Sequence, residues 1–146
     1  MGERKANAEW KGTLKEGEGN ISLGSGVFSG PFSFDTRFGE ATGTNPEELL
    51  GAALAGCYSM ALNNYLHGEN TPPKSIKAEA KVFLGKDDQG FLINRIDLET
   101  EGEVEGIDQA AFEAAAELIK KTCIISRALA ATNITLKATL VNAKAA

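Results

Sequence analysis

The chain has 146 residues, 42% of them hydrophobic and 24% charged, with a formal net charge of -5. That length suits one domain, residues 1–146, able to bury roughly 70% of its unfolded surface without disulfide staples. Its Lys and Arg residues are scattered, so the acidic chain lacks the basic face that nucleic acid and anionic membranes reward.

Residues 1–10 are polar and show no apolar signal-peptide core, and no apolar run is long enough to span a bilayer. A cytoplasmic protein is expected. The first third alternates short apolar pieces (Trp10 to Leu14, Ile21 to Leu23, Val27 to Phe28, Phe32 to Phe34) with Gly17, Gly19, Gly24, Gly26, Gly30 and Pro31, the signature of strands and turns. Asp35 to Thr44 reads as a loop. Asn45-Pro46-Glu47-Glu48 then marks a helix start, with Asn45 as N-cap, Pro46 at the first helical position and Glu48 completing a capping box. This helix is expected to run to about Leu66, with Gly68 just past its end. Apolar residues go most of the way round it, which predicts a buried central helix, and Ala52, Ala53, Ala55 and Gly56 permit close approach of another backbone.

Beyond Thr71-Pro72-Pro73, Ile76, Ala78, Ala80 and Val82 share one strand face, and Leu92, Asn94, Ile96 and Leu98 share another. Gly85 to Gly90 is expected to be the hairpin loop between them. Asp108 reads as an N-cap with Ile107 and Phe112 as a hydrophobic staple, starting a helix that reaches about Lys121. A short turn or helix (Ser126 to Ala131) and a strand (Ile134 to Val141) finish the chain. Helices segregated from antiparallel hairpins mean α+β.

Few residues here can carry chemistry. Gly24-Ser25-Gly26 precedes no helix that would cradle a phosphate. The one histidine, His67, reads as a helix-end residue and cannot assemble a His-based metal site. Asp97 to Asp108 reads as a solvated strand end and loop. The two cysteines, Cys57 and Cys123, remain. By residue type alone each is either a small buried hydrophobe or a redox group.

A thiol near pKa 8.5 is mostly protonated at neutral pH, and burial in an apolar helix raises its pKa further. Cys57 is about 16 Å along the helix from Pro46, too far for the helix dipole to act. A reactive Cys57 therefore needs a side-chain cation, and Arg37 is the best placed in sequence. A buried arginine needs a carboxylate, and Glu47 is free to pair with it. Glu47 and Cys57, however, stand about 15 Å apart in rise on one helix. A site that uses both takes Glu47 from a second copy of the helix, in a dimer with shared active sites.

Thr44-Asn45-Pro46-Glu47-Glu48-Leu49-Leu50-Gly51-Ala52-Ala53 and Ala55-Gly56-Cys57-Tyr58-Ser59-Met60-Ala61-Leu62 closely resemble the OsmC family, relatives of the organic hydroperoxide resistance (Ohr) proteins. The resemblance extends to Trp10, Ser25-Gly26-Val27, Phe34-Asp35-Thr36-Arg37-Phe38, Gly106-Ile107-Asp108 and Cys123. It implies an OsmC-like α+β fold, with antiparallel sheets around the central helix, in an intertwined homodimer. It also implies a cysteine-based peroxidase that needs no cofactor or metal. On that pattern Cys57 matches the peroxidatic cysteine, Cys123 the resolving one that forms a disulfide with it, Arg37 the activating arginine and Glu47 its partner. The implied substrate is a hydroperoxide, organic or hydrogen peroxide, and the implied reductant is a dithiol carried by a lipoylated protein. Relatives typically read Cys-Pro-Val-Ser where this chain has Cys123-Ile124-Ile125-Ser126. Phe38, Tyr58 and Met60 suit an organic hydroperoxide or belong to the core. Two rival readings are a dimeric binding module with inert buried thiols and a general thiol–disulfide exchanger, although the latter lacks a C-x-x-C motif.

Overall fold

The computed structural model describes residues 2–141, in two compact units that divide after Leu49. The elements are β1 (Ala6–Lys11), β2 (Glu18–Leu23), β3 (Ser29–Phe32), α1 (Phe34–Phe38), α2 (Pro46–Gly68), β4 (Pro73–Asp87), β5 (Gly90–Val104), α3 (Gln109–Thr122), α4 (Ile124–Ala128) and β6 (Asn133–Leu140). The class is α+β. Among the described residues no helix is long and apolar enough to cross a membrane.

In the first unit β1, β2 and β3 form an antiparallel meander. The strand placed at Trp10 to Leu14 ends at Lys11, where Gly12 takes a positive φ of 93°. Val27 and Phe28 belong to the β2–β3 turn rather than to a strand. The Trp10 and Phe32 rings meet at a tilt of 47° with centroids 5.2 Å apart. The expected loop over Asp35 to Thr44 instead begins as helix α1. Ser33 caps it, its hydroxyl accepting from the Thr36 N–H, while Thr36 Oγ1 accepts from the Ser33 N–H. A capping box closed by threonine offers no Glu or Gln signal to the reader of the sequence. Of this unit's described residues, only Gly30 and Glu47 are buried.

The second unit holds a three-stranded sheet in the order β4-β5-β6. The β4–β5 hairpin turns at Asp88 and Gln89, so Gly85 and Gly90 are strand residues rather than loop ends. Between Phe83↔Arg95 and Leu84↔Ile93 the register slips by one residue at Asn94. That bulge reverses the alternation. Ile93 packs against the core while Leu92 and Asn94 are exposed, contrary to the face expected from spacing. The acidic stretch also departs from expectation, for β5 continues to Val104 with Leu98, Thr100, Gly102 and Val104 buried. β6 pairs with β5 in parallel, the chain crossing over through α3 and α4.

The core joins Leu54, Tyr58, Leu62 and Leu66 of α2 to Ile96, Leu98 and Val104 of β5 and to Phe112, Ala115, Ala116 and Ile119 of α3. Asp108 caps α3 as expected, Oδ1 accepting from the Ala111 N–H at 2.8 Å. Gly102 is required by packing, because a Cβ there would meet the Phe112 ring at 2.4 Å. Within this unit α2 buries one stripe, Gly51, Leu54, Tyr58, Leu62 and Leu66. The opposite face, with Ala52, Ala53, Gly56 and a 75% exposed Met60, is open. The helix read as enclosed all round is thus enclosed on one side by its own unit.

Candidate active site

The four residues singled out by sequence gather into two pairs. Arg37 lies in the last turn of α1 and Glu47 in the first turn of α2, whose start is fixed by Asn45 Oδ1 accepting from the Glu48 N–H at 2.8 Å. Glu47 is therefore free of the cap. Its carboxylate takes Arg37 Nη2 at 2.7 Å and Nε at 3.2 and 3.3 Å. The Glu47 side chain is 11% exposed and that of Arg37 39%. Removing a carboxylate from water is costly even when it is paired, so this ion pair is weak evidence of a purely structural role. Phe38 lies beneath the guanidinium, 5.2 Å from ring centroid to Cζ. A cleft of about 210 Å³ opens here, lined by Trp10, Phe32, Phe34, Arg37, Phe38 and Pro46 among others.

Cys57 and Cys123 form the second pair. Cys57 sits on α2 beside the buried stripe and is half-buried, whereas Cys123 is 3% exposed at the junction of α3 and α4. Both are free thiols, and their sulfurs lie 3.3 Å apart. A disulfide needs about 2.05 Å. Small side-chain rotations therefore separate the dithiol from a bonded pair.

The backbone at Cys123 bears on the missing proline. Its φ of -56° and ψ of 140° are those of a residue preceding proline, and Ile124 occupies the first position of α4, where proline is favoured. The chain holds the required turn without the ring. Ile124 also keeps an N–H that proline lacks, and that N–H acts on Cys57.

The two thiols are tuned in opposite directions. Burial pushes Cys57 above the ordinary thiol value; the Ile125 and Ile124 N–H groups oppose the rise without cancelling it, and Cys123 adds to it. Burial would raise Cys123 as well. There it is outweighed by the nearby Ser126 N–H and hydroxyl, with Cys57 and the Ile125 N–H adding, so Cys123 lies below the ordinary value. Ser126 was not singled out by sequence. Its spacing of three residues from Cys123, the N-cap to third-position reach of a helix start, is the signal that could have found it.

Tyr58 and Met60 separate once placed. Tyr58 is core, fully buried, with its hydroxyl donating to Ala116 O at 2.9 Å. Met60 is on the open face of α2 and Phe38 in the cleft beside Arg37.

The family model described as OsmC-like protein matches residues 39–139. The peroxiredoxin OsmC of Escherichia coli K12 is 45% identical over 129 residues, covering 88% of this chain and 90% of that protein, and the protein of the same name from Shigella flexneri matches equally. Among solved structures, the organic hydroperoxide resistance protein OhrB of Bacillus subtilis superposes with a TM-score of 0.71 at 25% identity, covering 94% of this chain and 98% of that one. An OsmC-like protein of unknown function from Vibrio cholerae shares the fold with a TM-score of 0.74 at 18% identity, covering 94% and 99%. On the family match and the 45% identity, this chain belongs to the OsmC family.

Proposed function

We propose that this protein is a cysteine-based peroxidase that reduces organic hydroperoxides, working in the cytoplasm as a homodimer in which residues 1–146 act as one OsmC-like domain. The observation that carries the reading is a half-buried thiol 3.3 Å from a fully enclosed one, both reduced. Kinship with a protein named peroxiredoxin supports it.

The Cys57 thiolate attacks the terminal peroxide oxygen. The O–O bond breaks, the alkoxide takes a proton and leaves as alcohol, and Cys57 becomes a sulfenic acid. Cys123 then attacks the Cys57 sulfur; hydroxide departs with the Cys123 proton as water, and a Cys57–Cys123 disulfide remains. A dithiol, for which a lipoylated protein is the proposed source, restores both thiols by exchange.

The groups named around Cys57 raise its pKa on balance, so ionisation at neutral pH needs a cation from elsewhere. Arg37 of the partner subunit is the proposed source, held in place by Glu47. Its planar fork can meet both the thiolate and a peroxide oxygen. Three observations support the dimer. Glu47 and Cys57 are about 15 Å apart in rise along α2. Among its described residues the first unit, a three-stranded sheet with α1, has no buried hydrophobic side chain, which a sheet needs for stability. The open face of α2 is small and apolar, suited to a second helix. The aromatic cleft beside Arg37 favours an alkyl or aryl hydroperoxide over hydrogen peroxide.

The test is mass spectrometry of the reduced protein after one equivalent of cumene hydroperoxide. Loss of two hydrogens, mapped to a peptide joining Cys57 and Cys123, is expected. An unchanged mass would mean inert thiols, and oxidation by a disulfide dye but not by the hydroperoxide would mean a thiol–disulfide exchanger.

A further inference from the structure

Glu47 holds the Arg37 guanidinium along one edge. Nε and Nη2 make all the contacts, at 2.7, 3.2 and 3.3 Å, which leaves both Nη1 hydrogens and one on Nη2 without an acceptor among the described residues. An edge-on pair of this kind fixes where the guanidinium stands. It leaves the plane free to rock about the line to the carboxylate. The Arg37 side chain is 39% exposed, and a long side chain in that much water keeps several rotamers unless packing removes them. The packing on its face is aromatic. Arg37 Cζ lies 5.2 Å from the Phe38 ring centroid, inside the reach of about 6 Å over which a ring face attracts a cation. Phe38 is met in turn by Phe34, one helical turn earlier on α1, with centroids 4.9 Å apart and the rings tilted by 45°.

We propose that Phe38 is a positioning residue for Arg37, its ring face fixing the tilt of the guanidinium so that the Nη1 edge stays presented to the reacting groups. The proposal rests, for its use, on the reading that Arg37 serves Cys57 of the partner subunit. The positioning itself concerns α1 and Glu47 alone. A planar fork binds two acceptors together only when its plane contains both, so location and tilt must each be set. Glu47 sets the first and Phe38 the second. Leucine at position 38 would keep apolar bulk beside Phe34 and remove the negative ring face, so the charge would remain and its direction would loosen. Phe38 also lines the cleft, and a role as cleft wall alone is the reading to be separated.

The experiment compares full-length Phe38→Leu and Phe38→Tyr proteins with the unsubstituted one. The first readout is exchange of the Arg37 Nε–H with water, followed by NMR, which needs neither thiol nor substrate. Leucine should speed it about two- to fivefold, the weight of one exposed cation–π contact, and tyrosine should restore it. The control is the Gly39 N–H, which closes α1 by donating to Asp35 O at 2.9 Å and should exchange at an unchanged rate. An unmoved Nε–H, no rescue by tyrosine, or equal acceleration at Gly39 overturns the proposal. The second readout is alkylation of Cys57 against pH, which leucine should move upward by about half a pH unit. The rate with hydrogen peroxide, which presents no organic group to the cleft, should fall by the same two- to fivefold. An effect confined to KM for cumene hydroperoxide makes Phe38 a cleft wall and overturns the proposal. So does a Cys57 titration that Arg37→Met moves and Phe38→Leu does not. A titration that neither change moves counts against Arg37 as the activating cation, and the Nε–H exchange then decides the role of Phe38 by itself.

Discussion

Replacing Arg37 by lysine keeps the charge and removes the fork. In the structure two guanidinium nitrogens make three contacts with Glu47, at 2.7, 3.2 and 3.3 Å, whereas an ammonium offers one nitrogen on a flexible stem. A lysine that holds Glu47 has no second donor fixed toward thiolate and peroxide. A hydrogen bond to a charged group is worth about 1.5–3 kcal/mol. The Arg37 side chain is 39% exposed, so solvent screening reduces the expected loss to about 1–2 kcal/mol. In the transition state that is about 5- to 30-fold in kcat/KM. Alcohol formation from cumene hydroperoxide, coupled to dihydrolipoamide, measures it, with the melting temperature as control. An Arg37→Lys protein within about twofold of the unsubstituted enzyme would refute the fork argument.

Three further outcomes follow from the same geometry. Cys123→Ser leaves the Cys57 sulfenic acid with no thiol 3.3 Å away, so excess hydroperoxide adds a second oxygen to Cys57 within a few turnovers; intact-mass analysis showing a stable, active protein would contradict this. Ile124→Pro folds without loss of melting temperature because Cys123 already has the preceding-proline backbone, yet Cys57 loses an N–H that lowers its pKa. Its alkylation profile against pH should move upward, and an unmoved profile would remove that N–H from the account. Tyr58 is raised above its ordinary value of 10.0 by burial first and by Glu117 and Cys123 next. A group raised in the folded state contributes stability that is complete below the unfolded pKa, so the protein should lose stability as pH rises past about 10. Tyr58→Phe should cost about 1 kcal/mol at neutral pH for the hydrogen bond to Ala116 O, and its melting temperature should fall less steeply above that pH. Parallel curves would contradict the assignment.

Much of this was legible in the sequence, for identifiable reasons. The start of α2 is written in Asn45, Pro46 and Glu48, residues whose local chemistry needs no tertiary partner, and Asp108 announces α3 in the same way. Arg37 could be matched to Glu47 because the cap occupies Asn45 and the Glu48 N–H and leaves Glu47 unassigned. The inward face of β4 follows from alternation alone. What escaped depends on contacts distant in sequence or on weak local signals. The bulge at Asn94 arises only when β5 is paired with β4, and it inverts the face of Leu92. The parallel pairing of β6 leaves no trace in alternation, which reports faces and not direction. Helix α1 was hidden because Thr36 closes its cap. The inequality of the two thiols was hidden as well, since it depends on how the start of α4 lies against both sulfurs.

The central claim is that the guanidinium activating Cys57 belongs to the other subunit, and mixing two inactive variants tests it most directly. Arg37→Met and Cys57→Ser proteins are unfolded together, refolded as a mixture and assayed with cumene hydroperoxide. Random pairing makes about half of the dimers mixed, each with one intact site, so about a quarter of the unsubstituted activity should return. No recovered activity in a sample shown by native mass spectrometry to contain mixed dimers would contradict a site shared across the interface.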